Sequence, residues 1–595
     1  MARENKGFDV CGWQYALMRV CTPEALKQFD SLVLFNDSFF GPFYPFEEIF
    51  QKMEGRGVDF WGMSVHGEAD GNGSCPYGYR PAYIQTYFMV FEQRLLHSRD
   101  FYSFWEKQPI YNTFADVSEK FCAVMTRQFS DLGYTWDVLS DTRFLDSEDR
   151  KYNYDHHTHD IFQMISELHY PVLKRRSFRV EKGKTLDYTG GEDLFRALEY
   201  IETHSDYDVK MIFEHLMRKY DCYEIKKALC LDYCVPDHAA GETLSRGEAA
   251  VLAYLDYEDL FEESLTYLAN IPPEIDLMIV TNSEEKRDHL MNLARTRLQY
   301  GFEVRCAEGR GGDAAALLVT CADVLEQYTY LAFVHDTKSS QTEYSCVGKA
   351  YSRHLWENLF HSAAYIKNVI SLFKRHPYLG LLAPFGVHHG SYFNPSLNYW
   401  AACRDAVMAL ADRLSIRIVE PDHPLFLVGA NFWCRTDAMK PLFGHRFSYE
   451  DFPEEPVSGS GTVNDAIERI FPFAAAQQGY ASGYVYNMEY ARTELSNLRY
   501  MEEEACRAIA SFPGVKRKTF RVMMASFDNA VREKARTNPQ NTGKAIREKA
   551  QTNAKDASDE MEKTLLKRIR GVMKKFIPKP ILRAYQRKKY GREFV

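Results

Sequence analysis

Residues Gln327–Ser339 read QYTYLAFVHDTKS, an apolar run (Leu331–Val334) that stops abruptly at His335, Asp336, Thr337, Lys338 and Ser339. A short, continuously apolar run of this kind fits a parallel strand buried on both faces, with its carboxyl end open to solvent. In open α/β sheets, ligands sit just outside such ends. Asp336 would then stand at the mouth of a site, placed to hold a divalent metal or a sugar hydroxyl. Lys338, two residues on, would face a phosphate. Many strands end in Asp for turn reasons alone, so one such stretch decides little. The chain carries a second. Phe29–Pro42, FDSLVLFNDSFFGP, has Leu32–Phe35 as a strand and Asn36, Asp37 and Ser38 at its end. The segments upstream correspond as well. Arg3–Leu17 (RENKGFDVCGWQYAL) and Ala307–Leu318 (AEGRGGDAAALL) each hold a Gly-containing turn, an Asp (Asp9 and Asp313) and a helix-like run. Repetition of the whole constellation predicts a duplicated α/β unit.

From Glu248 onward the pattern alternates. Ala249–Leu255, Ile275–Thr281 and Phe302–Cys306 are strand-like, with helical periodicity over Leu260–Ala269 and Lys286–Tyr300 between them. Such alternation predicts a parallel sheet with right-handed crossovers. Helices are then expected over Gly348–Leu359, Ala363–Arg375 and Val463–Ile470, and strands over Leu379–Pro384, Leu425–Trp433 and Gly483–Asn487. The earlier copy has helix-like runs at Gly12–Arg19, Phe46–Met53 and Phe101–Glu106, and further strands at Val58–Met63 and Ala82–Phe91. Because Arg3 already corresponds to about Arg305, this copy is expected to lack its opening strands, through evolution or the choice of start codon. The expected architecture is α/β, with two Rossmann-related units, residues 1–175 and 246–510, joined by a helical segment, 176–245. A basic helical tail, 511–595, follows.

No run of about 18 apolar residues is present, which excludes a transmembrane helix by this criterion. The start, MARENKGFD, has no signal-peptide core. The 13 cysteines are scattered without CxxC pairing, which fits reduced thiols in a cytoplasmic protein rather than a disulfide frame or zinc site. The histidines of Tyr152–Asp160 (His156, His157, His159) lack a fixed ligand spacing and are expected in a polar loop. The total charge of −9 hides an asymmetry, since residues from Lys516 on carry a net +15 and leave about −24 for the rest. In the tail, Leu565, Ile569, Val572, Met573 and Phe576 fall on one helical face and basic residues cover the remainder. That is the pattern of an interfacial helix on an anionic membrane, here residues 561–590, although a helix docked on the acidic body or an exposed coil would share it. No nucleic-acid partner is expected.

Several stretches together resemble the rhamnan synthesis protein F family. ENKGFD, FDSLVLFNDSFFGPFYPFEEIF, VDFWGMS, IQTYFMVF and FYSFW are similar to its amino-terminal half, and YPVLKRRSF to its junction. YLAFVHDTKSS, LGLLAP and GTVNDAIERIF are similar to its carboxyl-terminal half. The resemblance covers residues 3–500 or so and leaves out the tail; NDSFFGP with its downstream aromatic strand is its most specific part. It implies bacterial glycosyltransferases of rhamnose-containing surface polysaccharides. With them come a GT-A-like fold, a nucleotide-sugar donor (dTDP-rhamnose in the namesake) and a lipid-linked glycan acceptor. The expected location is peripheral, at the inner face of the plasma membrane.

Glycosyl transfer needs a metal or fixed positive charge on the leaving diphosphate, and a general base for the acceptor hydroxyl. Asp336 is the expected ligand for Mg²⁺ or Mn²⁺ or for ribose, with Asp37 its counterpart. Arg310, Asp313, His335 and Lys338 are expected to line the donor site, and in the first half Asp9, Asp37 and Ser38, with His66 and Gln85 completing it. Glu454 or Glu455 is the expected base and Asp465 the next candidate. His388 and His389 are candidates for the diphosphate or the acceptor. Each has a plainer reading as a turn, cap or loop residue. Inversion is expected, because no paired nucleophile is evident. A non-catalytic glycan-binding scaffold is the alternative. A nucleotidyltransferase would need a Gly-rich basic loop after its first strand, and LDYEDL at 255–260 has none.

Overall fold

The computed structural model describes residues 6–537 apart from 71–72, 146–155, 181, 239–243, 339–344, 391–399, 401, 420–423, 426 and 456–460. Residues 1–502 form one compact unit and 503–595 another. The second contains a helix, Phe520–Thr537. The stretch 561–590, expected to meet a membrane, lies outside the described residues. No described helix is long and apolar enough to cross a membrane.

The first half of the large unit opens with helix α1 (Phe8–Tyr15), which passes into a π-helical turn, Ala16–Val20. It continues through strands β1 (Ser31–Phe35), β2 (Phe60–His66) and β3 (Phe88–Glu92), helix α2 (Ala123–Asp131) and strand β4 (Trp136–Ser140). The sheet order is β1-β3-β2-β4, antiparallel except for β2–β4. Alternation explains its unbroken apolar strands. Phe60, Met89 and Phe91 pack on one face, and Trp61, Met63, Phe88 and Val90 on the other. Ala82–Phe91 is not one strand. Tyr83–Ile84 pairs with the edge of β2, and the chain then crosses it to form β3. The crossing is close, since a Cβ on Gly62 would lie 2.2 Å from Ile84 and 2.9 Å from the carbonyl oxygen of Phe88. His156 and His157, expected in a polar loop, are buried in a short helix, where His156 Nδ1 lies 2.7 Å from Asp160.

Helices α3 (Asp193–His204), α4 (Lys210–Lys219) and α5 (Cys222–Ala228) follow, and then strand β5 (Asp232–Val235). The helical segment is therefore no mere linker, because β5 forms the edge of the second sheet. That sheet comprises β5, β6 (Ala249–Tyr254), β7 (Asp276–Thr281), β8 (Phe302–Cys306) and β9 (Tyr330–His335). It also holds β10 (Leu379–Pro384), β11 (Phe432–Arg435) and β12 (Ala481–Asn487). The order is β8-β7-β6-β9-β11-β10-β12-β5. Helices α6 (Phe261–Leu268) and α7 (Glu284–Arg297) make the opening crossovers, and the short α8 (Gly312–Ala315) with a π-helical turn, Ala316–Thr320, leads into β9. Helices α9 (Ser345–Phe360) and α10 (Ala363–Arg375) precede β10, and α11 (Val463–Gln477) precedes β12. All six residues of β6 and of β10 are buried, as strands covered on both faces must be.

The sheet is parallel except at β11, which runs against both its neighbours. The strand expected at Leu425–Trp433 starts only at Phe432. Gly429 (φ +61°) and Ala430 (φ +53°) are left-handed and cannot extend it.

The duplication is visible in three dimensions. β1, β2, β3 and β4 match β9, β10, β11 and β12 in chain order, in sheet order and in strand direction. Each copy enters through a left-handed glycine (Gly7, φ +74°; Gly311, φ +73°), a helical start and a π-helical turn. Among the described residues of the first half, no strands correspond to β6, β7 and β8.

Candidate functional site

From β6 the chain winds outward through β7 to β8, then returns to place β9 on the other side of β6. The carboxyl ends of β6 and β9 thus flank a topological switch point, where open α/β sheets bind ligands. Asp336 sits at this point, but its oxygens turn inward. They accept the backbone N–H of Asp256, 3.0 Å from each oxygen, and of Tyr257 at 2.9 Å. The side chain thereby staples the β6 and β9 lips together and is only 4% exposed. Burial pushes its pKa up, against the pull of the two N–H groups and His335. The sequence placed this carboxylate at an open mouth; the structure makes it the clamp behind one.

His335 donates its backbone N–H to Asn431 Oδ1 (2.8 Å). Its Nδ1 lies 2.9 Å from the carbonyl oxygen of Asp336, and its Nε2 lies against that of Gly429. Nε2 also lies 3.2 Å from Asn431 Nδ2, so the ring meets both carbonyl oxygens and an amide donor. Asp313 Oδ2 is 3.5 Å from Nε2. Burial opposes the charge, but Asp313 and the two carbonyls outweigh it and raise the pKa.

Asp313 is carried by the Gly311–Gly312 turn, which is tied to the Phe452–Glu455 segment. A Cβ on Gly311 would lie 2.6 Å from Phe452. Gly312 N–H donates to Glu455 Oε1 (2.6 Å), and Asn464 Nδ2 to the carbonyl of Gly311 (2.8 Å). Arg310 donates to the carbonyl of Phe452 (3.1 Å) and lies 3.5 Å from Glu454, whose side chain is 81% exposed. Glu455 therefore holds the turn, and Arg310 and Glu454 pair with each other. Asp465 is spent in the capping box of α11, accepting from the N–H groups of Gly461 (2.8 Å) and Thr462 (2.9 Å). Lys338 reaches Asp259 at 2.6 Å, and Lys286 reaches Asp256 at 2.5 Å. His388, from the neighbouring loop, pairs with Glu494.

Sequence reasoning missed Glu468. It lies on α11 one turn beyond Asp465, and burial and the charge of Asp313 push its pKa to about 7 against Arg469 and His335. Tracing the Thr462-capped helix one turn further would have found it. The Tyr254 phenol is likewise held un-ionised, by burial and then by Asp256, Glu455, Asp313 and Asp336, which places these carboxylates around one point. Asp256 and Tyr257 act on Asp336 through their backbone, which no residue-type signal reveals.

The first-half counterparts are in equivalent places with different partners. Asn36, the counterpart of His335, donates from Nδ2 to Asp9 Oδ2 (2.8 Å) as His335 faces Asp313. Asp37 is 95% exposed and pairs with Arg175 at 2.8 Å. Ser38 Oγ accepts from Lys174 Nζ (3.2 Å). Asp9, Asn36, Asp37, Ser38, His66 and Gln85 line one cleft. Among the described residues, no three His, Cys, Asp or Glu side chains are grouped to hold a metal ion. The Asp336 and Asp37 carboxylates are both engaged elsewhere, so these residues do not fit the Mg²⁺ or Mn²⁺ expected of them.

Two proteins of Xanthomonas campestris pv. campestris, both called uncharacterized protein WxcX, from strain B100 and strain ATCC 33913, are similar to this chain. Each is 25% identical over 236 residues, 39% of this chain and 32% of the relative. The match thus spans about a third of the relatives' length. This chain matches rhamnan synthesis protein F over residues 1–480, which take in the first half of the repeat, the helices between the halves and the second half up to β12, and it belongs to that family.

Proposed function

We propose that the chain is an inverting glycosyltransferase of surface-polysaccharide assembly, taking a nucleotide-activated deoxyhexose, dTDP-rhamnose foremost, at the β6–β9 crevice. Family membership supports the role in rhamnan synthesis. The observation that carries transfer is the switch point itself, with His335 and Asp313 3.5 Å apart at its lip; burial and Asp313 push the Glu468 carboxyl nearby to about 7. A parallel sheet with one reversed strand is the GT-A-like element of this reading. The acceptor oxygen bonds to the anomeric carbon as the bond from that carbon to the diphosphate breaks. Glu468 takes the acceptor's proton, since a base near neutrality is matched to that task. His335 and Lys338 offset the charge developing on the diphosphate. Asp336 and Glu455 are positioning residues that hold the two lips. The acceptor in this reading is a lipid-linked glycan at the inner membrane face, approached through the basic tail.

The test is a panel of nucleotide sugars with a lipid-linked acceptor, scored by release of free nucleotide. It is run with and without Mg²⁺ or Mn²⁺, because magnesium is commonly bound by substrate phosphates and few protein ligands. Release is expected with at least one donor. No release with any donor, with or without metal, overturns the reading in favour of a glycan-binding scaffold.

A further inference from the structure

The repeat places Asp336 and Asp37 at matching strand ends with different neighbours. At the β6–β9 lips Asp256, Asp313 and Asp259 are paired with Lys286, His335 and Lys338. Beside α1 and the end of β1, a cleft of about 620 Å³ is lined by Lys174, Arg175, Arg176, Arg179 and Arg80, the last paired with the buried Glu119, against the carboxylates of Asp9 and Asp37. Both carboxylates already have partners, in Asn36 and Arg175. Lys174 is buried, with its ammonium 2.9 Å from the centroid of the Tyr87 ring. Arg176 and Arg179 are exposed. The positive field is felt by His157, held well below the usual histidine pKa by burial and then by Lys174 and Arg176. The rings of Trp13, Tyr83, Phe114 and Tyr220 also face the cleft.

We propose that this cleft binds the diphosphate-linked end of a saccharide through its cations rather than through a metal. Guanidinium forks match phosphate oxygens, and aromatic faces cover the apolar side of a sugar ring. The volume is that of a small-ligand site. Among the described residues, this half shows no strands matching β6–β8. The exposed rings of Phe8 and Phe114 at this cleft suit the prenyl chain of a lipid-linked glycan better than a nucleotide. The site stands on its own geometry and rests on the proposed transfer only for the identity of the saccharide.

The probes are inorganic pyrophosphate, a prenyl-diphosphate disaccharide in detergent micelles, and dTDP-rhamnose, titrated calorimetrically into the full chain. The proteins are the wild type, Glu468→Gln and Arg176→Ser/Arg179→Ser, whose substituted side chains are exposed and whose folding is checked by unfolding temperature. The prenyl-linked disaccharide should bind wild type and Glu468→Gln alike and at least tenfold more weakly to the double variant. Pyrophosphate should compete with it, and rising salt should weaken it. If dTDP-rhamnose is the ligand lost in the double variant, the site holds with a nucleotide-linked source. If no diphosphate binds, or the double variant binds every probe like the wild type, the proposal is overturned. Binding is read without turnover, so failure to release nucleotide leaves this result standing.

Discussion

Glu468→Gln tests the proposed base through stability as well as rate. An ordinary glutamate titrates at 4.5, and here burial and Asp313 raise the value to about 7. The raised pKa means that the folded state disfavours the carboxylate. The associated stability is full below pH 4.5 and is lost as the pH climbs through about 7. At about 1.4 kcal/mol per pH unit, that gap corresponds to roughly 3 kcal/mol. The side chain is 30% exposed, so screening brings the expected effect to about 1–2 kcal/mol. Glutamine carries no such penalty. In urea unfolding at pH 5 and pH 8, the variant should gain about 1–2 kcal/mol on the wild type between the two. Its kcat should fall roughly 10²–10⁴-fold with donor affinity kept, and the wild-type rate should drop about tenfold per pH unit below 7. An unchanged stability difference at the two pH values, or a wild-type profile flat through pH 7, would refute the reasoning.

Asp336→Ala leaves the N–H groups of Asp256 and Tyr257 without their acceptor, at a cost of about 1–3 kcal/mol for each one left unpaired. Thermal unfolding should show that loss together with weakened donor binding, and a variant that matches the wild type in both would show that Asp336 holds nothing. For the tail, Lys574→Glu/Lys575→Glu should lower co-sedimentation with anionic vesicles at least tenfold, since each basic residue near such a surface contributes about 1 kcal/mol. Equal binding by variant and wild type, or binding indifferent to salt, removes the membrane assignment.

Local chemistry made part of this protein legible from the chain alone. The apolar runs at Leu331–Val334 and Leu32–Phe35 are strands because only a covered sheet hides them, and the left-handed glycines Gly7 and Gly311 mark the turns before them. Their recurrence announced the duplication. The sequence was less informative about direction and pairing. β11 runs against partners on either side that lie far off in the chain, and the left-handed pair Gly429–Ala430 only sets where it starts. Asp336 and Asp37 are the same residue type at the same strand end, yet one is buried against the backbone N–H groups of β6's loop and the other faces Arg175 in solvent. Asp336 meets the backbone of the loop after β6, while Asp37 meets a side chain from the junction after the first copy. What the sequence determined was which residues end each strand; what each carboxylate meets there was decided by the tertiary structure, because burial and charge depend on neighbours that sequence spacing does not encode.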